Sequence, residues 1–155
     1  MKTLIVYASK YGCTADCAEY LKVNLSGDVT VADINESNEQ LEPYDTIIIG
    51  GSVYIGKISK RLRAFCEKNL EILLTKRVGI FLCCALVEEA DKVLAENFPP
   101  TLLTGAKTVQ IFGSEARLEK MSFRDKLLIK AVTKGDFSCF VISNEKREAF
   151  IKEIS

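Results

Sequence analysis

The chain has 155 residues, and its 21 lysines and arginines balance its 21 aspartates and glutamates. A chain of this length is most simply one domain, spanning residues 1–155, and its balanced charge gives no field that favours nucleic acid. Histidine, the commonest metal ligand and general base, is absent. Any chemistry is therefore expected to come from a cofactor rather than from a catalytic side chain.

The cysteines and the apolar segments predict the cellular setting. With no secretory segment in the sequence, the six cysteines are expected to be reduced thiols of a cytoplasmic protein. No stretch approaches the ~20 apolar residues of a membrane span, so a soluble protein is expected. The six cysteines are Cys13, Cys17, Cys66, Cys83, Cys84 and Cys139.

Strand and helix patterns alternate along the chain. Apolar runs rich in β-formers predict five strands, at 3–8, 29–34, 45–50, 77–84 and 107–113. Apolar residues at helical spacing predict helices at 13–25, 58–74, 88–98 and 144–154. Ser143 is the predicted cap of the last helix. Pro99-Pro100 is predicted to end the helix at 88–98. This alternation predicts an α/β fold, a doubly wound five-stranded parallel sheet with helices on both faces.

The stretch 117–134 does not fit the alternation and is predicted to be one long basic helix. It carries six basic and two acidic residues. The favoured interpretation is a solvated face above a packing stripe. The alternatives are peripheral contact with an anionic membrane surface and docking of an acidic partner.

The turn after the first strand is a candidate anion site, because ligands of open parallel sheets bind outside the carboxyl ends of the strands. Ser9 and Thr14 offer hydroxyl donors, Gly12 lets the backbone come close, and the following helix directs its N–H groups at the turn. These features suit a phosphate. Ordinary helix capping explains the same residues equally well.

The loop after the third strand is a candidate wall for a flat ring. Glycines flank an aromatic and a branched aliphatic residue there, and Tyr54 is the predicted stacking residue. The alternative is an aromatic side chain that packs on its own surface loop.

Together, Ser9-Lys-Tyr-Gly-Cys-Thr14 and Gly50-Gly-Ser-Val-Tyr-Ile-Gly56 resemble the flavodoxin superfamily, most closely its menaquinone-dependent protoporphyrinogen oxidase branch. The resemblance implies sheet order 2-1-3-4-5 and an FMN cofactor. The FMN phosphate would lie in the turn 9–14, and the isoalloxazine between the loops 52–56 and 83–88. The predicted cofactor-binding residues are Ser9, Lys10, Tyr11, Gly12, Cys13, Thr14, Ser52, Val53, Tyr54, Ile55, Gly56, Cys84, Ala85 and Leu86.

Two departures from electron-carrier flavodoxins bear on function. Tyr11 stands where they usually have a hydroxyl residue, and the loop 83–88 lacks the aromatic that usually covers the ring. The flavin face is therefore expected to be open to a substrate. Such carriers are also strongly acidic, whereas this chain is neutral.

The leading functional prediction is an FMN-dependent oxidoreductase that acts on a quinone or a small organic substrate, with protoporphyrinogen oxidation the named option. The alternative is a non-catalytic electron carrier that serves redox partner proteins. A flavin-free receiver module is disfavoured, because the third strand ends in Gly50-Gly51-Ser52 rather than in an aspartate. Packing explains the spacing of Cys13 and Cys17, so no metal site is predicted.

Overall fold

The computed structural model describes residues 1–115, 117–134 and 141–155, and within them five parallel strands form one sheet. The sheet order is β2-β1-β3-β4-β5, as the resemblance implied. Every pairing between neighbours is parallel. The strands are β1 (Lys2–Ala8), β2 (Asp28–Asp33), β3 (Thr46–Ser52), β4 (Arg77–Cys83) and β5 (Thr108–Gly113).

Helices follow the strands, close to the predicted positions. The last one has the predicted bounds and cap, since the Ser143 hydroxyl accepts from the Lys146 N–H. Within the described ranges, the helices are α1 (Cys13–Asn24), α2 (Lys60–Lys68), α3 (Leu70–Leu73), α4 (Ala90–Asn97), α5 (Pro100–Gly105), α6 (Phe123–Thr133) and α7 (Asn144–Ile154). None of these described helices is long and apolar enough to cross a bilayer.

Three helix predictions are corrected. The helix predicted at 58–74 breaks at Asn69, whose side chain bonds the Phe65 carbonyl at 2.9 Å and so competes with the helical backbone. The prolines end α4 as predicted, but Pro100 also begins α5, because a first-turn proline loses no intrahelical hydrogen bond. The stretch 117–134 is not one helix: a 3-10 turn precedes α6, which starts at the Ser122 cap.

The two faces of the sheet carry separate apolar clusters, which confirms helices on both faces. In β1, Leu4 and Val6 point to the cluster that includes residues of α2 and α4, and Ile5 points to the cluster of α1 and α7. This alternation follows from the two-residue period of a strand. Cys139 and its neighbours 135–140 lie outside the described residues.

An aromatic cluster of Phe81, Phe112 and Phe150 fills the face under α1 and α7. Phe81 stacks on Phe112 with ring centroids 4.8 Å apart, and Phe112 meets Phe150 edge to face at 5.5 Å. The cluster leaves no room for a side chain at Gly50, where a Cβ would overlap the Phe81 ring. Close packing therefore fixes the position of β3 beside β4, and with it the loop that follows β3.

Candidate functional site

The turn between β1 and α1 presents the positive end of a helix. The Ser9 hydroxyl accepts from the Gly12 N–H at 3.0 Å, and Gly12 has a left-handed backbone, with φ 98°. Helix α1 then starts at Cys13. Among the described hydrogen bonds, none uses the N–H groups of residues 13–15, so these donors are available to an anion.

A half-buried pair of hydroxyl groups joins this turn to the loop after β3. Thr14 Oγ1 and Ser52 Oγ lie 2.6 Å apart, and the Ser52 hydroxyl also donates to the Ala8 carbonyl at 3.4 Å. The contact forms because β1 and β3 are neighbours and both end at the same edge of the sheet. The sequence predicted both residues for the site, and the structure brings them together.

Two cations that the sequence did not assign to the site lie over the turn. Arg117 donates to the Tyr11 carbonyl at 3.4 Å and forms ion pairs with Asp16 and Glu115. A Cβ on Gly12 would lie 2.6 Å from an Arg117 nitrogen and 3.8 Å from the Lys120 nitrogen. Glycine is therefore needed here both for its backbone angle and for the close approach of positive charge.

A buried carboxylate ties three predicted site residues together. Asp125, on α6, is 6% exposed. It accepts hydrogen bonds from the hydroxyls of Tyr11 and Tyr54, the latter at 2.5 Å, and its Oδ2 lies 3.1 Å from the Lys10 ammonium. The Tyr11 bond, then the Tyr54 bond and Lys10, lower the pKa of Asp125 to about 2. These four residues are called the Asp125 cluster below.

The sequence did not predict Asp125 as a site residue. Its local signal is its place three residues after Ser122, the N-cap of α6, whose hydroxyl accepts from the Asp125 N–H. That spacing marks a helix start and indicates nothing about a distant partner.

The loop after β3 is a tight turn with a strained residue. Tyr54 and Lys57 exchange backbone hydrogen bonds of 2.8 and 3.1 Å. Between them, Ile55 and Gly56 both have positive φ, of 50° and 71°. Glycine adopts this conformation freely, but a β-branched residue does so at a cost. The turn leaves the Ile55 side chain 69% exposed at the edge of the site.

One face of the ring of Tyr54, the predicted stacking residue, is covered by a cation. The Lys10 ammonium lies 3.2 Å from the centroid of its ring, a cation–π contact. The hydroxyl is held by Asp125, whose hydrogen bond raises the pKa of Tyr54. The ring is therefore fixed in place, and the residue is still 39% exposed.

A cavity of about 550 Å³ lies beside the turn, within the 300–1,000 Å³ common for small-molecule sites. Five of its lining residues were predicted from the sequence, and they are Ser9, Lys10, Ser52, Tyr54 and Ile55. Ala8, Asn35, Lys57, Ile58 and Ser59 complete the lining. Asn35 follows β2, so the loops after three adjacent strands enclose this space.

Other predicted residues lie outside this cavity. Val53 packs against the core. Cys84 is buried, which raises its pKa, and its thiol donates to the Leu86 carbonyl at 3.5 Å. Cys84, Ala85 and Leu86 do not line the cavity, and their contact with a flavin ring stays a prediction.

Cys13 belongs to the turn by sequence, but its side chain is buried in the core with Cys17 and Cys83. Hydrogen bonds from Cys17 and Cys83 lower the pKa of Cys13 to about 3. The same bonds to Cys13 raise the pKa of the other two thiols.

Comparison with protein families decides the assignment. Residues 4–137 match the family model described as Flavodoxin domain. The chain belongs to the flavodoxin domain family. Comparison with curated proteins gave no match at the significance required.

Three solved structures show the fold that this chain shares. Flavodoxin 1 from Bacillus cereus is 16% identical, with a TM-score of 0.57 over 98% of this chain and 93% of that one. Rubredoxin:oxygen oxidoreductase from Desulfovibrio gigas is 15% identical, with a TM-score of 0.57 over 99% of this chain, which spans 37% of that protein. A flavoprotein from Lactobacillus acidophilus, solved in complex with FMN, is 19% identical, with a TM-score of 0.51 over 72% and 90%. At these identities the likeness shows the fold alone.

Proposed function

We propose that this flavodoxin-family chain binds FMN at the turn 9–14 and the adjoining cavity, and that it transfers electrons. The observation that carries the proposal is the anion cradle: free N–H groups at the start of α1, the Ser9 hydroxyl and the Lys10 ammonium beside a cavity of about 550 Å³. This donor set suits a phosphate monoester. Bound FMN would supply one- and two-electron chemistry.

The chain's own residues would bind and orient the cofactor. The N–H groups of residues 13–15 and the Ser9 hydroxyl would hold the phosphate, while Lys120 adds positive charge near Gly12. Arg117 is already paired with Asp16 and Glu115. Tyr54 and Ile55 would form the wall for the ring. The Asp125 cluster holds Tyr54 and Lys10 in position before any ligand arrives, which reduces the ordering cost of binding.

The phosphate site is tested by replacing two residues together by alanine: Ser9, whose hydroxyl would bind the phosphate, and Thr14, whose hydroxyl ties the turn to Ser52. Because a hydrogen bond to a charged group is worth ~1.5–3 kcal/mol, FMN affinity should fall at least roughly 10-fold, as measured by quenching of FMN fluorescence. The matched control replaces the exposed Ser26 and Thr101 by alanine and should leave the affinity unchanged. Equal FMN affinity in the two double variants would contradict the assignment of the phosphate site to this turn.

Two kinds of electron acceptor are compatible with this site. The leading proposal is an oxidoreductase that acts on a quinone or a small organic molecule. Protoporphyrinogen oxidation is one such reaction, but the family match is to the flavodoxin domain and gives no support to that narrower assignment. Flavin-loaded protein should then reduce a soluble quinone with saturable kinetics.

The second candidate is an electron carrier, and the surface of α6 favours it. Phe123 and Leu127 lie one turn apart and are 77% and 53% exposed, beside the basic residues Arg124 and Lys130. An apolar patch with a basic surround suits docking of an acidic redox partner. Electron transfer to an acidic partner that weakens with salt, without saturable quinone turnover, would favour the carrier. Contact of 117–134 with a membrane surface stays a prediction.

A further inference from the structure

Three cysteine sulfurs meet in the core below the turn. The Sγ atoms of Cys13, Cys17 and Cys83 all lie within 4.8 Å of one another. Cys17 and Cys83 are 3.9 Å apart. The three residues are 7%, 2% and 3% exposed, respectively. Among the described residues, these three cysteines form the group of metal-ligating side chains that is close enough to hold one metal ion.

The fold itself brings the three thiols together. Cys13 and Cys17 are four residues apart on α1, so they share the helix face that packs on the sheet. Cys83 is the last residue of β4 and belongs to the same apolar cluster. By contrast, Cys66 is buried in the cluster on the opposite face of the sheet, apart from these three.

The spacing of the sulfurs matches a trigonal metal site. With metal–sulfur bonds of about 2.3 Å, three thiolates in a plane around one ion lie about 4.0 Å from one another. The distances in the protein, 3.9 Å for one pair and at most 4.8 Å for the others, require shifts of less than about 1 Å.

The donor set selects the class of ion. Structural zinc takes four ligands in a tetrahedron, but no fourth ligand joins the group among the described residues, and the sequence contains no histidine. Soft ions such as Cu(I) prefer thiolate ligands. We propose that Cys13, Cys17 and Cys83 bind one soft, thiophilic metal ion through three sulfur atoms, with Cu(I) as the reference ion.

Binding is a ligand exchange and not a redox step. Three metal–sulfur bonds form, up to three thiol protons pass to solvent, and the ion keeps its oxidation state. The resulting negative charge lies at the first residue of α1, where the positive end of the helix stabilises it. Cys13 adjoins the turn at Gly12 and, at 7%, is the most exposed of the three cysteines. The site requires no FMN, and it is proposed for the FMN-free protein, because an FMN phosphate on the N–H groups of residues 13–15 would share the same end of α1.

The test is an anaerobic titration of the reduced, full-length protein with Cu(I) in competition with a colorimetric Cu(I) chelator. The protein should retain one equivalent, and X-ray absorption should show three sulfur neighbours at about 2.3 Å. Cys17→Ser and Cys83→Ser should each weaken retention at least 100-fold. Cys66→Ser, which removes an equally buried thiol on the other sheet face, should retain the ion like the wild type.

Several results would overturn the proposal. They are loss of all Cu(I) from the wild type to the chelator, two sulfur neighbours instead of three, and full retention by Cys17→Ser or Cys83→Ser. Loss of Cu(I) retention in Cys66→Ser would show that Cys66 contributes to the site, and would also overturn the proposal. If a serine variant fails to fold, as judged by circular dichroism, the sulfur count of the wild-type complex still decides.

Discussion

The interior of the sheet and the polar edge above its strand ends are held together in different ways. In the interior, Phe81 packs against Phe112 with no space left at Gly50, so shape alone fixes the position of the strands. At the edge, Asp125 and Lys10 hold a cluster by charge, and the nearby turn contains a residue with strained backbone. The contrast shows where stability and binding are expected to reside.

Residues of the interior contribute stability through buried area and close packing, which no small shift can replace. Residues of the edge contribute fewer contacts and hold donors at fixed positions, at some cost in strain. Substitutions in the interior should therefore change the free energy of unfolding most, whereas substitutions at the edge should change it less and act on ligand binding.

The largest effect is expected from Phe81→Ala. Phe81 is fully buried, and removing its ring leaves a cavity, so the free energy of unfolding should fall by about 3–5 kcal/mol. Urea unfolding measures the loss. The matched control is Phe123→Ala on α6, which removes a ring that is 77% exposed and should change stability by less than about 0.5 kcal/mol. Equal losses in both variants would break the distinction between interior and edge.

A smaller effect is expected from Asp125→Asn in the Asp125 cluster. The neutral amide weakens the bonds to Tyr11, Tyr54 and Lys10, and one hydrogen bond to a charged group is worth about 1.5–3 kcal/mol. Urea unfolding at pH 7 should show a loss of this size. Asp28→Asn, at an exposed carboxylate, should change stability by less than about 0.5 kcal/mol.

The stability difference between the wild type and Asp125→Asn is expected to depend on pH. The Tyr11 bond and its neighbours lower the pKa of Asp125 to about 2, below the ordinary value of 3.8, so its stabilisation requires the ionised carboxylate. The advantage of the wild type over Asp125→Asn should be constant above about pH 4 and should shrink as the pH falls towards 2. An advantage that is independent of pH in this range would contradict the charged cluster.

The smallest effect is expected from Ile55→Asn, and it should be a gain. Ile55 has φ 50° and is mostly exposed, and asparagine tolerates this conformation better, so stability should rise by about 1 kcal/mol. Thermal unfolding measures the gain. Val23→Asn also removes an exposed β-branched side chain, but from the helical backbone of α1, and should show no gain. A gain in both would mean that removing an exposed apolar side chain, and not relieving backbone strain, stabilises the protein.

Periodicity and turn chemistry were sufficient to predict the five strands of the sheet, and the resemblance supplied the strand order. They were also sufficient for α7, whose apolar spacing and Ser143 cap are local signals. The same signals placed Ser9, Ser52 and Tyr54 at one edge, because parallel strands bring their ends together. Local patterns also allowed one long helix at 117–134, and the break before Ser122 depends on contacts that they do not contain.

The missed parts of the site are contacts between distant residues. Asp125 meets Tyr11 across 114 positions of sequence and Tyr54 across 71. Cys83 meets Cys17 across 66 positions. The helical spacing of Cys13 and Cys17 and the strand that ends at Cys83 were both predicted, but the contact between that strand end and the two helix cysteines was not. Such contacts depend on which loops and strand ends become neighbours in the folded chain. The periodicity of helices and strands carries no information about these neighbours.

The most direct test of the central claim compares FMN with riboflavin, which lacks the phosphate, by calorimetric titration of the wild-type protein. Two hydrogen bonds to a charged group are worth ~3–6 kcal/mol, so FMN should bind at least roughly 100-fold more tightly. Equal affinity for the two flavins, or no binding of FMN at micromolar protein, would contradict a phosphate site in the turn from Ser9 to Thr14.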